Sequence, residues 1–141
     1  LRMLTTDDVE KDYETVMSSV DYLHGVFGKY APTWPPDDLT KKQDLVDLGW
    51  HQSEFQNKRS FSYTVMKLDE SKCLGCVYIF PSEKEEYDAI VIFWVRKSEY
   101  DTGLDQELYE TIKKWIEEKW PFKKPAYPGR EISWEEWDKV E

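Results

Sequence analysis

Tyr100-Asp101-Thr102-Gly103-Leu104-Asp105 stands between an apolar run ending at Val95 and an amphipathic segment that follows Gly103. A strand that feeds a helix through a glycine turn makes an anion site. The first N–H groups of the helix have no partner within it, and the positive end of its dipole attracts phosphate. A glycine lets the anion approach the backbone. Two acids oppose that use. Asp105 in the first turn favours the helix itself but stands where a phosphate would sit, and Asp101 adds a second negative charge. In a solvated loop each costs a bound diphosphate about 1 kcal/mol. Arg96 and Lys97 offset part of this if they point at the turn.

Other residues offer proton or metal chemistry. His51, beside Trp50, has the pKa range of a general base, against the plainer reading of a surface or hydrogen-bonded histidine. His24 falls at a helix end, where a charged imidazole is favoured, and carries no catalytic role. Cys73 and Cys76 have CxxC spacing, but no second pair completes a four-ligand metal set. On a regular strand their thiols would face opposite sides, so no metal site is expected.

The elements that position these residues follow from periodicity. Val9, Tyr13, Val16, Met17, Val20 and Leu23 mark one helix, behind a Thr5 or Thr6 cap. Pro35 and Pro36 hold 30–38 as a loop. Thr40 and Gln43 have capping-box spacing before a helix whose face carries Leu45, Leu48, Gln52 and Phe55. Three strands follow, over 61–68, 72–80 and 88–95. The third is apolar on both faces, which marks a central, doubly covered strand. A helix over 103–119 buries Leu104, Leu108, Ile112, Trp115 and Ile116 and stops at Pro121. Ser133 caps a last turn with Glu136; Trp134 and Trp137 dock it or supply a homodimer contact.

The totals narrow the partners. The 141 residues carry seven tryptophans and 40% apolar residues, enough for one ordered domain over 1–141 despite 34% charged residues. A formal net charge of −10 excludes nucleic acid and anionic membrane as non-specific partners; it favours cationic ones, or simply keeps the surface soluble. There is no run of the roughly 20 apolar residues that a membrane span requires, and no signal-peptide pattern opens the chain, so the expected location is cytoplasmic.

The order strand, helix, helix, three antiparallel strands, helix, tail resembles the GNAT superfamily of acyl-CoA N-acyltransferases over roughly residues 1–120. "LRMLTTDD" is similar to its first strand and helix, "LGCVYIFP" to its third strand, and "IFWVRKSEYDTGLDQEL" to its fourth strand, acyl-CoA loop and following helix. The resemblance implies an α+β fold with a mixed, mostly antiparallel sheet of five or six strands and helices on both faces. It implies transfer of an acyl group from acetyl-CoA or another acyl-CoA to a small-molecule or peptidic amine. In the family's loop, Gln or Arg, two residues, Gly, one residue, then Gly or Ala hold the pyrophosphate. Here Tyr100 and Asp105 depart from that pattern and Gly103 fits it. The thioester is expected along Trp94, Val95 and Arg96, and the pyrophosphate at Tyr100, Asp101, Thr102, Gly103, Leu104 and Asp105. Trp34 and Trp50 are candidates for the substrate mouth. The position aligned with the family's strand carboxylate is Ile90. Asp88, with Glu86, and His51 are the candidate bases, and Tyr127 the candidate thiolate acid. The alternative is a GNAT-like binding module that has lost acyl-CoA.

Overall fold

The structure, a computed structural model, describes residues 1–141. Its elements are β1 (Arg2–Met3), α1 (Val9–Met17), α2 (Val20–Leu23), α3 (Lys41–Gln56), β2 (Phe61–Met66), β3 (Cys73–Pro81), β4 (Ala89–Val95), α4 (Lys97–Tyr100), α5 (Leu104–Lys119), β5 (Pro125–Ala126) and α6 (Trp134–Lys139). The sheet order is β1-β2-β3-β4-β5. The first four strands are antiparallel neighbours, and β5 runs parallel to β4. A parallel neighbour requires a crossover, and α5 supplies it.

Every residue of β4 is buried. Its even positions, Ile90, Ile92 and Trp94, join Val16, Leu23, Cys76 and Trp137 in one core layer; its odd positions, Val91, Phe93 and Val95, join Leu108, Ile112 and Ile116 of α5 in the other. The sheet is therefore covered on both faces, as the two-sided apolar run predicts. No helix is long and apolar enough to cross a membrane.

Several local expectations change. The predicted first helix breaks at Ser18–Ser19 into α1 and α2, and Ser19 Oγ accepts a hydrogen bond from Lys97 N–H at 2.9 Å. On α3 the buried stripe runs through Asp44 and Leu48, while Leu45 is exposed. The pairing of β2 with β3 slips between Val65 and Met66: Val65 faces Gly75, whereas Met66 faces Cys73. Leu74 is thus an extra, bulged residue. It turns Cys73 to the same face as Cys76, contrary to strict alternation. Gly75 sits at the bulge because a Cβ there would lie 2.1 Å from the Trp94 carbonyl oxygen.

Candidate active site

The site begins with an opening in the sheet. β5 pairs with β4 only at Ala89 and Ile90; past Ala126 the chain leaves the strand and forms a turn closed by a Pro128–Ile132 bridge. Arg96 N–H donates to the Leu74 carbonyl at 2.8 Å. By antiparallel alternation the even residues of β4 bond to β3, and the backbone groups of Phe93 and Val95 face the open edge. A cavity of about 330 Å³ lies there, lined by Ile92, Phe93, Trp94, Tyr100, Asp105, Arg130 and Trp134, with residues 22–26 above.

The turn after β4 is more folded than its sequence suggests. Lys97–Tyr100 form the short α4, and the N–H groups of Tyr100, Thr102 and Gly103 donate to the carbonyls of Arg96, Glu99 and Tyr100. These loop amides are engaged. What remains for an anion is the first turn of α5, after Gly103 at φ +88°, where nothing lies within 4 Å of the place of a side chain.

Asp105 does not stand alone at this mouth. Arg130 grips it with both guanidinium nitrogens, at 2.7 and 2.9 Å. The same guanidinium donates to the Phe93 carbonyl at 3.0 Å and stacks on the Phe93 ring at 3.6 Å. The expected negative charge is therefore neutralised, by a residue from a segment that sequence reading leaves irregular. Arg96 does not help, because it turns to the other face. Its guanidinium binds both oxygens of Glu14, at 2.7 and 2.9 Å, and Thr15 Oγ1 at 3.0 Å. The hydrogen bond from Arg96 holds Glu14 below the usual carboxylate range, against partial burial, which opposes the charged form. Val95 packs into the α5 layer, and Trp94 donates its indole N–H to Tyr78 Oη at 3.1 Å. Tyr100 is exposed and its ring rests on Tyr22, while Asp101 and Thr102 lie at the surface.

A second cavity, of about 850 Å³, opens between α3 and the even-numbered face of β4. Ile92 lines both cavities. The walls of the larger carry Phe27, Tyr30, Trp34, Trp50, Tyr78 and Phe80 together with Asp12, Asp44, Asp47, Glu54 and Glu83. Arg59, the one Lys or Arg on its walls, is paired with Glu54. Asp12 of α1 and Asp44 of α3 meet in its depth. Burial raises the pKa of both carboxyls, and the Asp12 charge raises Asp44 further. The two carboxyls therefore retain a proton between them near neutral pH. Cys76 Sγ donates to Asp12 Oδ1 at 3.5 Å, and the ligand atoms of Asp12, Cys73 and Cys76 lie within 4.8 Å of one another.

His51 lines the larger cavity. Its Nδ1 lies 2.9 Å from Ser62 Oγ, and burial lowers its pKa to about 4, so the imidazole is neutral. Trp34 and Trp50, the two candidates for a substrate mouth, line the same cavity. Asp88 and Tyr127 line neither cavity. The Asp88 carboxylate accepts from the N–H groups of Lys123 and Lys124, which ties β5 to the start of β4. Tyr127 is buried in the α5 layer. Three residues escape sequence reading: Arg130, Asp12 and Asp44. The two aspartates carry a faint signal, because Asp44 lies four residues before Leu48 and Asp12 four before Val16, on buried stripes.

Two solved structures share this architecture. A GnaT-family acetyltransferase from Bordetella pertussis aligns with a TM-score of 0.57 and 11% identity over 84% of this chain and 68% of its own. Ribosomal-protein-S5-alanine acetyltransferase from Vibrio fischeri aligns with a TM-score of 0.50 and 17% identity over 82% of this chain and 61% of its own. No protein-family profile and no curated protein sequence matches the chain. The fold is thus that of the GNAT acetyltransferases, in a widely diverged sequence.

Proposed function

We propose that the chain is an acyl-CoA-dependent N-acyltransferase, with the acyl donor at the open edge of β4 and the acceptor amine in the larger cavity. The observation that carries this reading is that Ile92 lines both cavities, on the strand whose far edge β5 leaves unpaired. The open edge suits a pantetheine arm, which is strand-like and carries amides. The cavity there is small and flanked by the start of α5, whose unpaired N–H groups suit a diphosphate. Bound acyl-CoA supplies a thioester carbonyl as the group to be attacked.

This chain's residues do the remainder. Phe93 and Val95 present backbone groups at the opening, where an N–H would polarise a carbonyl. Gly103 leaves the α5 mouth clear, and Arg130 offsets Asp105 beside it. In the acceptor cavity the neutral His51 and the Asp12–Asp44 pair are proton acceptors for an amine. β4 itself carries no acid, so attack relies mainly on positioning.

The GNAT-like binding module is the second reading, and one contact favours it: Arg130 already occupies the Phe93 carbonyl at the open edge. Thermal denaturation with acetyl-CoA separates the two. A donor site raises the melting temperature with ligand concentration, by about 2.7 kcal/mol of stability at a hundredfold excess over Kd. Amine-dependent release of free thiol from acetyl-CoA then establishes turnover. An unchanged melt at millimolar acetyl-CoA leaves the binding module.

A further inference from the structure

Asp44 is 2% exposed, lies on the wall of the 850 Å³ cavity, and its Oδ2 meets no N–H or hydroxyl donor of the protein, so that only the proton shared with Asp12 serves this carboxyl. A buried polar oxygen without a donor is destabilising, and such groups persist where a ligand provides the donor. No side-chain cation of the protein does so. Arg2 binds Asp8 and Glu70, Lys41 binds Glu10, Arg59 binds Glu54, and Arg96 binds Glu14. Asp12 stands beside Asp44, and Asp47 lines the same cavity less than one turn further along α3, nearer solvent and without an ion pair. Phe27, Trp34, Tyr78 and Phe80 wall the same space, and aromatic faces attract ammonium groups and pack hydrocarbon chains.

We propose that the larger cavity binds a slender organic cation, an alkyl diamine or polyamine. One ammonium is held by Asp44 and Asp12 in its depth, its chain lies against the aromatic wall, and its second ammonium faces Asp47. The role of this cation as acyl acceptor rests on the acyltransferase reading. Its binding does not, because no acyl donor takes part. An acidic peptide does not suit the cavity, since five carboxylic acids line it and its one arginine is paired with Glu54.

The test is calorimetric titration of the wild-type chain with cadaverine, and with pentanediol as the uncharged counterpart, without any coenzyme A. Saturable binding of cadaverine alone is expected. Asp44→Asn is expected to weaken it by about tenfold or more while retaining a cooperative melt, because the amide preserves shape but cannot give up a proton and become the carboxylate that faces the ammonium. Asp47→Asn is expected to weaken cadaverine and leave a monoamine of equal length unaffected. Equal binding of diamine and diol, no binding of either, or wild-type affinity in Asp44→Asn overturns the proposal. So does stoichiometric zinc on the purified protein, since a metal ion on Asp12, Cys73 and Cys76 would already neutralise the acids. Failure of cadaverine with intact acetyl-CoA binding refutes this inference alone; the reverse pattern refutes the transferase.

Discussion

Asp105 illustrates how a residue's meaning depends on its partner. Alone at a helix start it repels phosphate; held by Arg130 it becomes half of an ion pair that is mostly buried on the Asp105 side. Asp105→Asn removes the charge and leaves Arg130 as an unmatched cation at the mouth. Coenzyme A affinity is expected to rise severalfold in that variant, with a steeper salt dependence, and titration at two ionic strengths checks it. Unchanged or weaker binding would contradict the charge argument. Asp44 gives a second prediction, through stability. Its carboxyl is raised above the ordinary 3.8 by burial first and by Asp12 second. A raised folded pKa gives stability that is complete below the unfolded value and is lost as pH climbs through the folded one. Asp44→Asn is therefore expected to raise the melting temperature at pH 8 by several degrees and at pH 4 by little. His51 acts with the opposite sign: lowered from 6.5 to about 4, it withdraws stability as pH falls through that interval. Melts of wild type, Asp44→Asn and His51→Gln across pH resolve the two contributions.

At the scale of elements, the sheet is positioned by one small residue. Gly75 admits the Trp94 carbonyl at a distance that no Cβ permits, and Leu74 bulges beside it. Gly75→Ala is expected to cost about 3 kcal/mol or more, read by chemical denaturation, because a central strand pair must shift. Gly103→Ala, at φ +88° but with open space around it, is expected to cost only about 1 kcal/mol. These elements were legible in the sequence to different degrees. The two-sided apolar run of β4, the Thr40–Gln43 capping box and the Ser133 cap are local patterns, and the structure contains each of them. The bulge at Leu74 was not legible, because it depends on the register of a partner strand. Nor was the break at Ser18–Ser19, where Ser19 serves Lys97, a residue distant in sequence. The candidate site divides likewise. Tyr100, Gly103 and Asp105 follow β4 directly and could be read, whereas Arg130 and the Asp12–Asp44 pair come together only through tertiary packing.

For the whole molecule, acidity becomes specific. A formal charge of −10 is uninformative when spread over a surface, but five carboxylic acids line one cavity with a single, already paired arginine. That asymmetry raises the local concentration of cations, so the apparent KM for an amine is expected to rise with salt faster than that for acyl-CoA. Steady-state rates over a salt series check this. Salt effects of equal size on both substrates would contradict it.

An acyl-CoA donor would lie in the opening between β4 and β5, next to the start of α5. A crystal structure of the chain with coenzyme A tests it most directly. Pantetheine is expected along the edge that carries Phe93 and Val95, the diphosphate at the first N–H groups of α5, and Arg130 moved off the Phe93 carbonyl. Coenzyme A elsewhere, or an empty mouth with Arg130 still bridging Phe93 and Asp105, would contradict it.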